Sequence, residues 1–137
     1  MLKLTSKTGK ANAKQEVVFN YISDFRNFAN LLPAERLENT EITKDSIRFG
    51  LPGLGDIGLN IAEQHPFDQL VINAIEGTAA DFTFWINILP MDENASQVSV
   101  ILNANLNMFM EMMAKGPLQQ FLDLMIDKVE DIKFEGV

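Results

Sequence analysis

Hydrophobic residues in this chain repeat first with a helical period, then with a period of two, then with a helical period again. Val17, Val18, Tyr21, Ile22 and Phe25 are spaced for one face of a helix, and Phe28, Leu31 and Leu32 extend that stripe. From Leu37 to about Leu106 the period is two, as in Ile57, Leu59 and Ile61, in Phe82, Phe84, Ile86 and Ile88, and in Val98, Val100, Leu102 and Ala104. Leu118, Phe121, Leu122, Met125, Val129 and Ile132 then return to helical spacing. A short alternating segment at residues 2–9 precedes everything else. A chain ordered this way builds one multi-stranded sheet and covers its apolar face with the helices that flank it in sequence. The short gaps between the alternating runs predict antiparallel pairing.

The punctuation is consistent with that order. Asn12 followed by Gln15 has the form of a capping box and predicts a helix start, with Gly9-Lys10 leading into it. Asp24 falls at a break between two short helices, and Pro33 ends the second. Lys44-Asp45, Pro66-Phe67-Asp68 and Pro90–Asn94 are turns by composition, Gly77 ends the strand over residues 69–77, and Gly50–Asp56 is a loop. Gly116-Pro117 interrupts the last helical region. Proline inside a helix costs about 3 kcal/mol, so a kink or two helical pieces are expected there, with residues 108–115 as the first.

Size and charge narrow the function. The 137 residues suit one domain, 1–137, with a substantial core. A net charge of −8 leaves no basic footprint for nucleic acid and gives no charge attraction to anionic lipid. The chain has no cysteine, which removes disulfides, thiolate chemistry and Cys-bound zinc. Met1–Lys7 lacks the apolar stretch of a signal peptide, and no run reaches the roughly 18 apolar residues of a membrane span. A cytoplasmic location is the expectation.

A sheet of about seven strands twists and curls, and one helix laid on a deeply curved sheet cannot touch all of it. The remaining space is either filled by side chains or left as a pocket. Ten Phe and seven Met can do either.

The segment Ala13-Lys14-Gln15-Glu16-Val17-Val18-Phe19-Asn20-Tyr21-Ile22-Ser23-Asp24 resembles the opening of the first helix in the START-like superfamily, also called SRPBCC. There the pattern is Ala-Pro-x-Glu-x-Val-Phe-x-x-Leu-x-Asp, with Lys14 standing here where Pro is common. Pro33, Gly53-x-Gly55, Glu63-x-x-Pro66 and Leu89-Pro90 are similar to positions in bacterial polyketide-cyclase-like members. The resemblance spans nearly the whole chain. It implies an α+β helix-grip fold of the birch-pollen-allergen type, in the order β-α-α-β6-α, with a lipid, quinone, polyketide or similar molecule held between the sheet and the C-terminal helix. Some members are cyclases or dehydratases, and others bind proteins.

On this reading the pocket is lined by Phe28, Leu31, Leu54, Leu59, Phe82, Phe84, Ile86, Leu102, Met108, Met112, Phe121 and Met125. Met108, Met110, Met112, Met113 and Met125 cluster in or near the last helix, and flexible, polarizable Met suits a pocket of irregular shape as well as it suits gap-filling in a core. Leu51 and Leu54 would tip a flap at the mouth. No metal, cofactor or prosthetic group is implied. There is no convincing catalytic set. Glu76 is a weak candidate for an inward acid or base, with Leu70, Ile72 and Ala74 on its face, while Glu63, Asp56, Asp81 and the single His65 read as surface groups. The expected activity is binding or carrying a hydrophobic small molecule. The alternatives are a cyclase-like enzyme, and a protein-interaction module with a filled core. For the latter, Trp85 on the outer sheet face would offer a partner or homodimer patch.

Overall fold

The computed structural model describes residues 2–33, 35, 37–51, 55–75 and 81–134. Two short strands, β1 (Leu2–Thr5) and β2 (Gly9–Ala11), are followed by α1 (Gln15–Ile22), α2 (Phe25–Phe28) and a 3-10 turn (Ala29–Leu31). Six strands come next: β3 (Glu38–Ile42), β4 (Ser46–Leu51), β5 (Gly55–His65), β6 (Gln69–Ala74), β7 (Asp81–Asp92) and β8 (Ala95–Asn105). A 24-residue helix, α3 (Met108–Asp131), follows. The strands form one antiparallel sheet in the order β1-β8-β7-β6-β5-β4-β3, with β2 also paired to β8. The sheet curves around α3, which is the helix-grip arrangement the periods predict.

Register explains which face is inner. Phe84 lies opposite Ile72 and Leu102, and Ile86 opposite Leu70 and Val100, so these side chains share one face. All are buried, and they meet Leu118, Phe121, Leu122, Met125, Ile126 and Val129 of α3. Phe25, Phe28, Leu31 and Leu32 complete this core.

The N-terminal segment departs from expectation. Instead of one strand running toward a helix start, it breaks at Ser6. The Ser6 hydroxyl donates to the Lys7 carbonyl at 2.7 Å and accepts from the Val100 amide at 2.8 Å. Gly9 then lies in β2 opposite Val98, where a Cβ would run into Cγ2 of the fully buried Ile126. Close approach of β2 to α3 is thus what Gly9 permits. Gly9→Ala is expected to lose about 1–3 kcal/mol, the usual cost of overpacking, as a lowered urea midpoint at unchanged slope. The link between β1 and β2 is tied to α3 by several bonds. The Lys7 amide donates to Asp123 at 2.8 Å, the Lys7 ammonium pairs with Asp127, and Gln119 donates to the Thr5 carbonyl at 3.0 Å.

Asn12 does not cap α1. Lys14 holds the cap position without a side-chain bond, and the Asn12 amide instead donates to the Glu130 carbonyl at 3.4 Å. Gln15 ties α1 to the sheet by donating to the Ile88 carbonyl at 2.8 Å and to Asp68 at 2.9 Å. Asp24 does cap α2, accepting from the Arg26 amide at 3.0 Å. Hydrogen bonding from the Arg26 guanidinium holds the Asp24 carboxyl down at about 2.

β7 continues through Pro90 to Asp92, and the turn narrows to Glu93-Asn94. Past Asn87 the described pairing of β7 is with β8 alone, so Pro90 occupies an edge, where a missing amide is tolerated. α3 runs unbroken through Gly116-Pro117. Pro117 still removes the amide that would bond the Met113 carbonyl. The side chain that would normally clash with a proline ring is absent at Gly116, which lets the preceding residue stay helical.

Candidate functional site

Toward its N-terminus α3 has few core residues, with Ala114 the only one buried before Leu118. Asn105 at the end of β8 lies opposite Asp81 at the start of β7, and the paired residues Leu51 of β4 and Gly55 of β5 lie at the same end of the sheet. α3 begins there, two residues beyond β8. Beneath that end is an apolar cleft lined by Phe49, Leu51, Ile57, Phe82, Phe84, Leu118 and Phe121, with a free volume of about 10 Å³. Phe121 of α3 stacks over Phe49 of β4, with ring centroids 6.4 Å apart and planes at 18°. Phe82 and Phe84 stack at 6.3 Å and 29°. The free space is at the threshold for one water, and the lining side chains offer it no polar partner, so the cleft is dry.

Of the residues that the sequence points to, Phe82, Phe84 and Phe121 line this cleft. Leu59, Ile86, Leu102 and Met125 lie in the adjoining core, buried to 1% exposure or less. Phe28 and Leu31 are equally buried, and Phe28 stacks on Phe25 at 5.0 Å. Met108 and Met112 are a correction. Both are 79% exposed and do not line the interior. The first turns of α3 leave the core, so only Ala114 is buried before Leu118. Leu54 and Glu76 lie outside the described residues.

Phe49, Leu51, Ile57 and Leu118 were not singled out as lining residues. The alternation of Ile47 with Phe49 and of Ile57 with Leu59 carried the signal, and Leu118 opens the helical stripe. Leu51, expected on a flap, belongs to the cleft wall.

No titratable side chain lines the cleft among the described residues. Asp56, Glu63 and Asp81 are exposed. His65 pairs with Glu63 at 3.1 Å, both solvent-facing. The Tyr21 hydroxyl accepts from the Asn30 amide at 2.8 Å, and its ring meets Phe134 edge-on at 5.1 Å. Trp85 faces outward between Val71 and Ile101 and is half-buried. Among the described residues there is no group of three or more His, Asp or Glu that could hold a metal ion, and no helix is long and apolar enough to cross a membrane.

A long helix gripped by a curved antiparallel sheet over an apolar cleft defines a helix-grip protein. No protein-family profile matches the chain, and no curated protein matches it. Solved structures do. Norcoclaurine synthase from Thalictrum flavum, in complex with dopamine and hydroxybenzaldehyde, is similar at TM-score 0.69 and 13% identity, covering 99% of this chain and 89% of the synthase. A START superfamily protein from Mycobacterium smegmatis is similar at TM-score 0.66 and 14% identity, covering 96% and 99%. The protein XoxI from Bacillus cereus is similar at TM-score 0.66 and 13% identity, covering 96% and 97%. The chain therefore has the helix-grip fold, which it shares with these solved structures along nearly their full lengths.

Proposed function

We propose that this protein binds a small, neutral, mainly aromatic molecule between α3 and the inner sheet face. The observation that carries the reading is the cleft lined by seven apolar side chains, four of them Phe, at the open end of the grip. An ionised group has no counter-charge or hydrogen-bond partner among those side chains and would pay the full cost of leaving water. A neutral ring gains burial, worth about 25 cal/mol per Å² before ordering costs. At about 10 Å³ the cleft is closed, so the guest displaces Phe49 and Phe121 from each other and takes the place of their stacking. The likeness to a synthase crystallised with dopamine and hydroxybenzaldehyde, two single-ring aromatics, supports an aromatic guest of that size, and of the two the uncharged hydroxybenzaldehyde is the better analogue for this cleft.

A second reading has its own support. The small free volume also suits a protein-interaction module whose core is simply full. Native mass spectrometry after gentle purification, followed by organic extraction, separates the two. The ligand reading expects a non-protein mass that extraction removes, or a one-to-one complex when indole is added. A bare chain that takes up no neutral aromatic contradicts it.

A further inference from the structure

We infer that Met108, Met112 and Met113 form a reversible oxidation site, and that their sulfoxides loosen the first turns of α3. The inference does not depend on the ligand reading. All the sulfur in this chain is methionine, because there is no cysteine to meet a peroxide first. Access then decides which methionine reacts. Met108, Met112 and Met113 are 79%, 79% and 61% exposed, whereas Met125 is 1% exposed in the core. The oxidant is hydrogen peroxide. The methionine sulfur attacks one peroxide oxygen and the O–O bond breaks. The proton on the transferred oxygen passes to the departing hydroxide, which leaves as water. Sulfur gives up two electrons and the peroxide takes them. A methionine sulfoxide reductase reverses the step, its two thiols closing to a disulfide as the oxygen leaves as water.

The position of these residues makes oxidation consequential without making it destructive. Ala114 is the only residue of α3 buried before Leu118, so residues 108–113 hold none of the core. Their order rests on local interactions. The Asn107 side chain caps the helix, accepting from the Met110 amide at 2.8 Å. Met108 with Met112, and Phe109 with Met113, stand at the i, i+4 spacing at which apolar pairs support an exposed helix. A sulfoxide weakens both supports. It turns an apolar side chain into a polar one, so the pairs lose their attraction. Its oxygen is also a hydrogen-bond acceptor and competes with Asn107 for the Met110 amide. Pro117 already withholds one hydrogen bond between this segment and the rest of α3. Leu118, Phe121, Leu122, Met125, Ile126 and Val129 remain packed on the sheet, so the loosening stays local.

The test treats the full chain with dilute hydrogen peroxide and follows each methionine by peptide mass spectrometry. Oxidation at Met108, Met112 and Met113 is expected roughly tenfold faster than at Met125. Amide exchange across residues 108–113 is then expected to rise about fivefold, with residues 118–129 and the melting temperature unchanged. Methionine sulfoxide reductases with dithiothreitol are expected to restore the slower exchange. Met91, 52% exposed at the opposite end of the sheet, serves as an internal control for oxidation outside the helix. The triple variant Met108→Leu, Met112→Leu and Met113→Leu keeps the apolar pairs and keeps Met91, and peroxide is expected to leave its exchange unaltered. Equal oxidation at Met125, or exchange across 108–113 that oxidation leaves unchanged, overturns the inference. So does faster exchange that persists in the triple variant, a fall in melting temperature on oxidation, or a change that the reductases do not reverse.

Discussion

Phe121→Ala is expected to lower the free energy of unfolding by about 3–5 kcal/mol and at the same time to strengthen binding of a small neutral aromatic. Phe121 is 4% exposed and stacks on Phe49 across the cleft. Removing its ring deletes that contact and leaves a void among Ile57, Phe82, Phe84 and Leu118, which are rigidly held by sheet and helix. A void lined only by carbon stays dry and accepts an apolar guest. The variant therefore binds indole without first having to displace a side chain. Urea unfolding gives the stability change, and calorimetric titration with indole gives the affinity. Lost stability with no gain in affinity would mean that the cleft collapses and that Phe121 is only a core residue.

Pro117→Ala is expected to raise stability by as much as about 3 kcal/mol and to slow amide exchange across residues 108–115. Pro117 withholds one hydrogen bond from the middle of α3, and the ten residues before it place only Ala114 in the core. That segment is held by few buried contacts, and restoring the Met113 carbonyl's partner couples it to the well-packed half from Leu118 onward. On the ligand reading, exchange of a bound aromatic slows as well, because this segment stands over the open end. Denaturation combined with hydrogen exchange checks both parts. An unchanged exchange profile would show that Gly116 already absorbs the proline without local loosening.

The sequence made the sheet and the long helix readable because their hydrophobic periods are long and clean. The alternation from Phe82 to Ile88 and from Val98 to Ala104 put each row on one face and left open which face is inner, and the register and burial place these rows inward. What could not be read were features decided by packing between distant segments. Gly9 looks like a loop residue until Ile126 is placed against it. Asn12 has the local form of a helix cap, yet tertiary contact draws its amide to Glu130. Met108 and Met112 continue an apolar composition, but the first turns of α3 bury only Ala114, so that composition ends up exposed. Pro117 signals a break by its own chemistry, and the helix continues because the neighbour is glycine. The cleft was legible in its aromatic content. Its width was not, since free volume depends on ring orientations such as that of Phe121 over Phe49.

The central claim is that the space under α3 opens to admit a neutral guest. Methyl-selective NMR of the unaltered protein, titrated with indole, tests it most directly. The prediction is saturable shifts at the methyls of Leu51, Ile57 and Leu118, with little change at Val129 or Leu2. Shifts confined to Met108, Met112 and Met113, or none at any methyl up to the solubility limit of indole, would contradict it.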